Sequence, residues 1–181
     1  LERGRTHVMG PIDYSTNYPC GLLVDGFDSP PRFMMNHHRP YYLGLLEAWG
    51  LRKAKDLYAW WFTDPLNLVE RWREKAERIA RRSGVTVRPF RRRHFREDLE
   101  HCQVVYNAAQ QQNWGVVGMT SDELRYMARR LEKIAAEQQV LLVEKDGQVI
   151  GFSATVPDYN EAIRPLDGRL TTWGVPIGAM R

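Results

Sequence analysis

The sequence predicts an α+β or α/β chain, and three observations carry that reading. A two-residue step, Asp146-Gly147, joins two apolar runs, 139–145 and 148–156. Asp-Gly accepts the positive φ angles of a type I′ turn, whose twist suits a hairpin. Two stretches with apolar residues at helical spacing precede the hairpin, and a short β-branched run, Val85-Thr86-Val87, opens the series. From residue 85 the predicted order is therefore strand, helix, helix, strand, strand.

The elements follow in chain order. Residues 1–36 are rich in Gly, Pro, Asp and Asn. A strand over 5–14 is expected, with Pro11 limiting its pairing. Residues 15–21 and 28–31 have turn composition. Pro40 suits the first turn of a helix running to Trp49, and Gly50 suits the position just past its end. Residues 51–62 mix Ala54, Leu57, Ala59 and Trp61 with Lys53, Lys55 and Tyr58, and a strand is expected there. Asp64-Pro65 starts a helix whose apolar positions are Leu66, Val69, Trp72, Ala76 and Ile79; Gly84 ends it. After the strand at 85–90, Phe95, Leu99, Cys102, Tyr106 and Ala109 form one helical stripe. Thr120 and Glu123 have capping-box spacing ahead of Leu124, Met127, Leu131 and Ile134. Beyond Pro157 nothing periodic survives.

The chain has 181 residues, 43% hydrophobic and 27% charged, enough for one domain or two small ones. No apolar run approaches the roughly 20 residues of a membrane helix, so no membrane partner is expected. Cys20 and Cys102 are the only cysteines, too few for a disulfide framework, and a reducing cytoplasm is the expected setting. The net charge is +4, yet residues 71–96 hold eleven basic residues against Glu74 and Glu77. Such a stripe suits an anion, or it is a solvated helix face followed by a surface loop. No nucleic-acid motif is present and the aromatics are not interleaved with the stripe, so nucleic acid is not the expected partner. The chain starts at Leu1 and ends at Met180-Arg181, and it is expected to be a piece of a longer protein.

The strand-helix-helix-strand-strand order over 85–156 resembles the first half of a GNAT-superfamily N-acetyltransferase domain. Residues 36–62, with Tyr41-Tyr42-Leu-Gly-Leu-Leu-Glu-Ala-Trp-Gly50-Leu51 before an expected strand, resemble the last half of such a domain. The stretch 10–27 (Gly-Pro-Ile-Asp-Tyr-Ser-Thr-Asn-Tyr-Pro-Cys-Gly-Leu-Leu-Val-Asp-Gly-Phe), with Pro30-Pro31 and Pro157-Asp-Tyr-Asn160, is similar to a bacterial group of GNAT-like proteins. The resemblance implies a mixed, mostly antiparallel sheet flanked by helices, as incomplete halves of two domains or as a composite permuted sheet. It divides the chain into 1–63, the late half of one domain; 64–84, a connector helix; and 85–181, the early half of a second.

The resemblance also implies the function: part of an N-acyltransferase that uses acetyl-CoA or another acyl-CoA and transfers to an amine acceptor, the piece alone being inactive. The family holds the cofactor pyrophosphate on a Gln/Arg-x-x-Gly-x-Gly/Ala loop at a helix N-terminus. Residues 1–181 contain no such loop; Gly115-Val-Val-Gly118 is the nearest glycine pair. The position of the family's tyrosine general acid is Leu46 here. In this reading the clamps lie outside the chain, and catalytic and cofactor-binding residues are not assigned. The other reading is a non-catalytic scaffold built from GNAT-like halves. Half-domains leave sheet edges open, so self-association is expected.

Substrate-pocket candidates are Tyr14, Asn17, Asp25, Tyr41, Tyr42, Asn113, Asp158 and Asn160. They are polar or amphipathic side chains on segments that the resemblance brings near a central cleft. Asp13, Asp25 and Asp28 also fit backbone-bonding turn roles. No metal site is expected: His37-His38 are adjacent and diverge, and His94 and His101 have no zinc-type ligand pattern beside them.

Overall fold

The computed structural model describes residues 4–63 and 65–166. They form two compact units, one from residues 4–56 with 157–166 and the other Leu57–Val156. The described residues hold five α-helices and one three-stranded sheet, a mixed α+β architecture.

The second unit contains the sheet. Its strands are β1 (Thr86–Pro89), β2 (Val140–Lys145) and β3 (Gln148–Ala154), antiparallel and in the order β1-β2-β3. Thr86 pairs with Glu144 and Pro89 with Leu141; Leu142 pairs with Phe152, and the ladder shifts register at Val143/Glu144. The hairpin turn is as the sequence requires, with Asp146 at φ 50° and Gly147 at φ 77°.

The unit's helices are α2 (Pro65–Ser83), α3 (Phe95–Gln110) and α4 (Ser121–Leu131), numbered after α1 of the first unit. The capping box at α4 is present: Glu123 N donates to Thr120 Oγ1 at 3.2 Å, and Thr120 N donates to Glu123 Oε2 at 2.8 Å. Between the two helices Asn107 holds the chain against α3: its Oδ1 accepts from Met119 N at 2.8 Å and its Nδ2 donates to Met119 O at 3.0 Å. Helix α3 packs on β3 and on α4. The core under α3 is small, made of Leu99, Cys102, Met119 and Leu142. By strand alternation Val87, Leu141 and Val143 share the opposite sheet face, where Val87 and Leu141 are exposed.

The first unit is mostly irregular. Its helices are α1 (Tyr41–Ala48) and the short α5 (Tyr159–Ile163). Gly50 at φ 91° closes α1: Leu51 N donates to Leu46 O at 3.1 Å and Gly50 N to Glu47 O at 2.9 Å, a Schellman pattern. Asn36 Nδ2 donates to Cys20 O at 2.9 Å and fixes the turn there.

Three expectations require correction. Residues 51–62 form no strand: nearly every side chain is exposed, and no partner strand lies beside them among the described residues. A strand is a pairing, and local composition cannot supply the partner. Residues 5–14 form no strand either; only Ile12 bridges to Cys20, where Pro11 lacks an amide donor. Conversely, a helical turn follows Pro157, capped by Asp158, whose Oδ1 accepts from Asn160 N at 2.9 Å. The expected helix cap at Asp64 and the expected end of the second half-domain, 167–181, lie outside the described residues.

Candidate functional site

The most organised polar cluster joins β1, β2 and α3. Its centre is Asp98, fully buried in the first turn of α3. Arg88 on β1 grips it with both guanidinium ends, Nη1 to Oδ2 at 2.8 Å and Nη2 to Oδ1 at 2.9 Å. Arg91 adds three donors: its backbone N at 2.8 Å, Nη2 at 2.7 Å and Nε at 3.2 Å. Arg88 Nε then reaches Glu144 Oε1 on β2 at 2.7 Å. The helix N-terminus adds favourable potential for the carboxylate.

Burial opposes ionisation of Asp98, but hydrogen bonds from Arg88 and then Arg91 outweigh it and hold the carboxyl well below the usual carboxylate range. The same bonds, Asp98 first, raise Arg88 and Arg91. A carboxylate with every lone pair engaged is a poor general base. The cluster is a clamp that fixes the start of α3 on the sheet.

The clamp positions a groove between α3 and α4 of about 470 Å³. Its apolar side is Phe95, Leu99 and Leu124; Arg96, Arg125 and Arg129 form a basic rim with Glu100 and Glu132 among them. Gln103 spans the helices: its Oε1 accepts from Ser121 Oγ at 2.8 Å and its Nε2 donates to Met119 O at 2.8 Å. In the core, the Cys102 thiol is pushed up to about 11, by burial first and then by the charge of Asp98. Cys102 is a neutral core side chain at neutral pH.

Glu97, Asp98 and His101 offer ligand atoms within 4.8 Å of one another. Asp98 is nevertheless occupied by two guanidinium groups, and Glu97 accepts from Arg91 Nη2 at 3.2 Å. The cations already present repel a metal ion.

Four of the eleven basic residues of the stripe bond to β1, β2, α3 or the segment past α4. Besides Arg88 and Arg91, Arg92 donates from its backbone N to Glu137 at 3.0 Å and from Nη2 to the carbonyls of Glu132 and Ala135 past α4. Arg96 pairs with Glu100 at 3.2 Å.

Seven of the eight pocket candidates lie in the first unit. Tyr41 and Tyr42 stack at 4.9 Å, and Tyr42 faces His38, whose Nδ1 accepts from Leu23 N at 3.3 Å. Asp158 accepts from Asn160 Nδ2 at 2.6 Å, while Asn160 Oδ1 accepts from Phe33 N at 2.7 Å. Tyr14, at φ 64°, packs edge-on against Tyr18. Asn17 N donates to Ser15 Oγ at 3.2 Å in the same turn, and Asp25 is exposed. Asn113 belongs to the second unit and bonds to Gln110. The first unit thus makes two local pairings from the candidates, Tyr41 with Tyr42 and Asp158 with Asn160. Sequence reading missed Asp98; its signal was an acid beside the apolar stripe of α3, close to Arg88 and Arg91.

Two known proteins are similar to the chain along almost its whole length. Protein YghO of Escherichia coli is 33% identical over 175 residues, covering 96% of this chain and 44% of the relative. The bacterial ceramide synthase of Caulobacter vibrioides is 34% identical over 172 residues, covering 95% of this chain and 44% of the relative. The chain spans less than half the length of the curated relatives it matches. No family model matches it, and no solved structure does.

Proposed function

We propose that the chain is part of a GNAT-like N-acyltransferase that joins an acyl group from acyl-CoA to the amine of a long-chain acceptor. The observation that carries this reading is the 34% identity to a protein named a ceramide synthase across 95% of the chain. A ceramide is an amide of a long-chain amino alcohol. Its synthesis from a thioester forms a C–N bond and breaks the C–S bond, and the proton lost by the amine goes to the departing thiolate, which leaves as the thiol.

The architecture is compatible. Two helices separate β1 from β2, the hairpin follows, and the sheet is antiparallel in the order β1-β2-β3. This is the arrangement the family resemblance implies for the early half of such a domain. On this reading 1–63 is the late half of a preceding domain and 64–84 the connector. The groove between α3 and α4 is the seat for the acceptor's apolar chain. The donor clamp and the base lie on other parts of the whole protein, so residues 1–181 alone do not turn over substrate.

The test is calorimetry of the whole protein with acetyl-CoA and a long-chain acyl-CoA. Saturable binding of an acyl-CoA supports the enzyme. Absence of binding to either favours the second reading, a non-catalytic scaffold, which the lack of a cofactor loop in residues 1–181 keeps open.

A further inference from the structure

Helix α2 stands apart from the core of its unit. Among the described residues no helix or strand packs extensively against it. At 100° per residue Val69, Trp72, Ala76, Ile79 and Ala80 share one face. Trp72 is 49% and Ile79 54% exposed, so that face is uncovered. Lys75 and Arg73 border the face on its two sides; Arg82 and Glu77 stand at equal angles beyond them, then Arg71 and Glu70, with Glu74, Arg78 and Arg81 opposite. The Lys75 ammonium sits 4.1 Å from the centre of the Trp72 ring. Arg71 and Arg82 make no ion pair among the described residues.

A second feature adjoins it in the chain. Residues 57–62, Leu-Tyr-Ala-Trp-Trp-Phe, are exposed and irregular, with Trp60 79% and Trp61 65% exposed. Aromatic side chains with a polar edge settle at the boundary between water and lipid. A basic helix with an apolar, tryptophan-bearing face and a low mean hydropathy is the pattern of a helix that lies in that boundary.

We propose that residues 57–62 and α2 form a peripheral membrane-binding element, lying flat on an anionic lipid surface. The cations bordering the apolar face meet lipid headgroups while Trp60, Trp61, Trp72 and Ile79 enter the interfacial layer. The net charge of the helix selects this occupant. Six bases stand against three acids, and the two charges nearest the apolar face, Arg73 and Lys75, are both positive, which suits a negatively charged plane with an apolar interior. A nucleic acid would leave the apolar face in water. Among the described residues no helix is long and apolar enough to cross a membrane, and none is needed for surface contact. The inference does not depend on the proposed chemistry.

The test is co-sedimentation of the chain with vesicles, of phosphatidylcholine alone or of equal parts phosphatidylcholine and phosphatidylglycerol. Binding to the mixed vesicles, weak binding to the neutral ones and release by salt are expected. The triple change Arg71→Gln, Lys75→Gln, Arg82→Gln should weaken binding by about tenfold or more. Trp60→Ser with Trp61→Ser should weaken it by a similar factor, with far-UV circular dichroism unchanged in both variants. No binding to mixed vesicles, or undiminished binding of both variants, overturns the proposal. So does salt-sensitive binding to duplex DNA without vesicle binding, or a dimer that the tryptophan changes dissociate while vesicles are ignored.

Discussion

Arg88 and Asp98 meet end to end, two guanidinium nitrogens against two carboxylate oxygens at 2.8 and 2.9 Å, across the junction of β1 and α3. Asp98 has no exposed surface, whereas Arg88 and Arg91 keep 21% and 38% of theirs. The buried acid is therefore compensated from the solvent side. Removing it leaves two cations facing an empty acceptor position. Asp98→Asn should destabilise the chain by about 2–4 kcal/mol, the lower part of the range for a broken buried pair because water reaches the arginines. The urea midpoint measures it. Arg88→Met combined with Asp98→Leu should recover at least half of the loss; a double variant no better than Asp98→Asn would show that the clamp is not a coupled pair.

The same carboxylate sets an acid limit. Its folded-state pKa lies below the ordinary value of 3.8, so the folded state binds that proton less readily than the unfolded chain. The stabilisation is complete above the unfolded value and is lost as pH falls through it toward the folded one. Urea midpoints should hold between neutral pH and about 5, then drop below about 4. Asp98→Asn should show a shallower acid decline, and an unchanged decline would remove Asp98 as its source.

The hairpin depends on two backbone angles. Gly147→Ala places a side chain at φ 77° and should cost about 1–2 kcal/mol, although nothing stands within 4 Å of the added carbon. Asp146→Asn should be neutral to within about 0.5 kcal/mol, because Asn accepts the left-handed region equally well. Thermal unfolding compares the two.

At the start of α4, Thr120→Ala removes the hydroxyl that accepts from Glu123 N while leaving the Thr120 backbone N–H on Glu123, and should cost about 1 kcal/mol, with Thr120→Ser nearly silent. Equal losses for alanine and serine, in urea unfolding, would mean the hydroxyl does not cap the helix.

The two thiols should differ in reactivity. Cys102 is buried and raised to about 11, and Cys20 is partly exposed. An alkylating reagent should modify Cys20 first, and Cys102 only when denaturant opens the core. Mass spectrometry of partly modified protein reads the order.

What was legible in the sequence was local. Asp146-Gly147, the Thr120/Glu123 spacing and the Gly50 stop each carry their conformational reason within a few residues. The strand-helix-helix-strand-strand order followed from them. The strand expected at 51–62 failed because pairing is non-local and no partner is present beside it. Asp98 was missed for a related reason: an acid next to an apolar stripe suggests solvent until the arginines on β1 are brought against it. Asn160 and Phe33 bond across 127 residues of chain, a separation no spacing rule spans. Of the pocket candidates, Tyr41 and Tyr42 stack on each other, as adjacency in the chain allows, whereas Asn113 belongs to a different unit from the rest.

The amide formation proposed for the whole protein is read from its products. The protein is incubated with isotope-labelled long-chain acyl-CoA and a long-chain amino alcohol. Free CoA thiol and the product are then quantified together. Labelled N-acyl amide and thiol are expected in equal amounts, with no product from residues 1–181 alone. Thiol release without amide, or no reaction across acyl-CoA chain lengths, would contradict it.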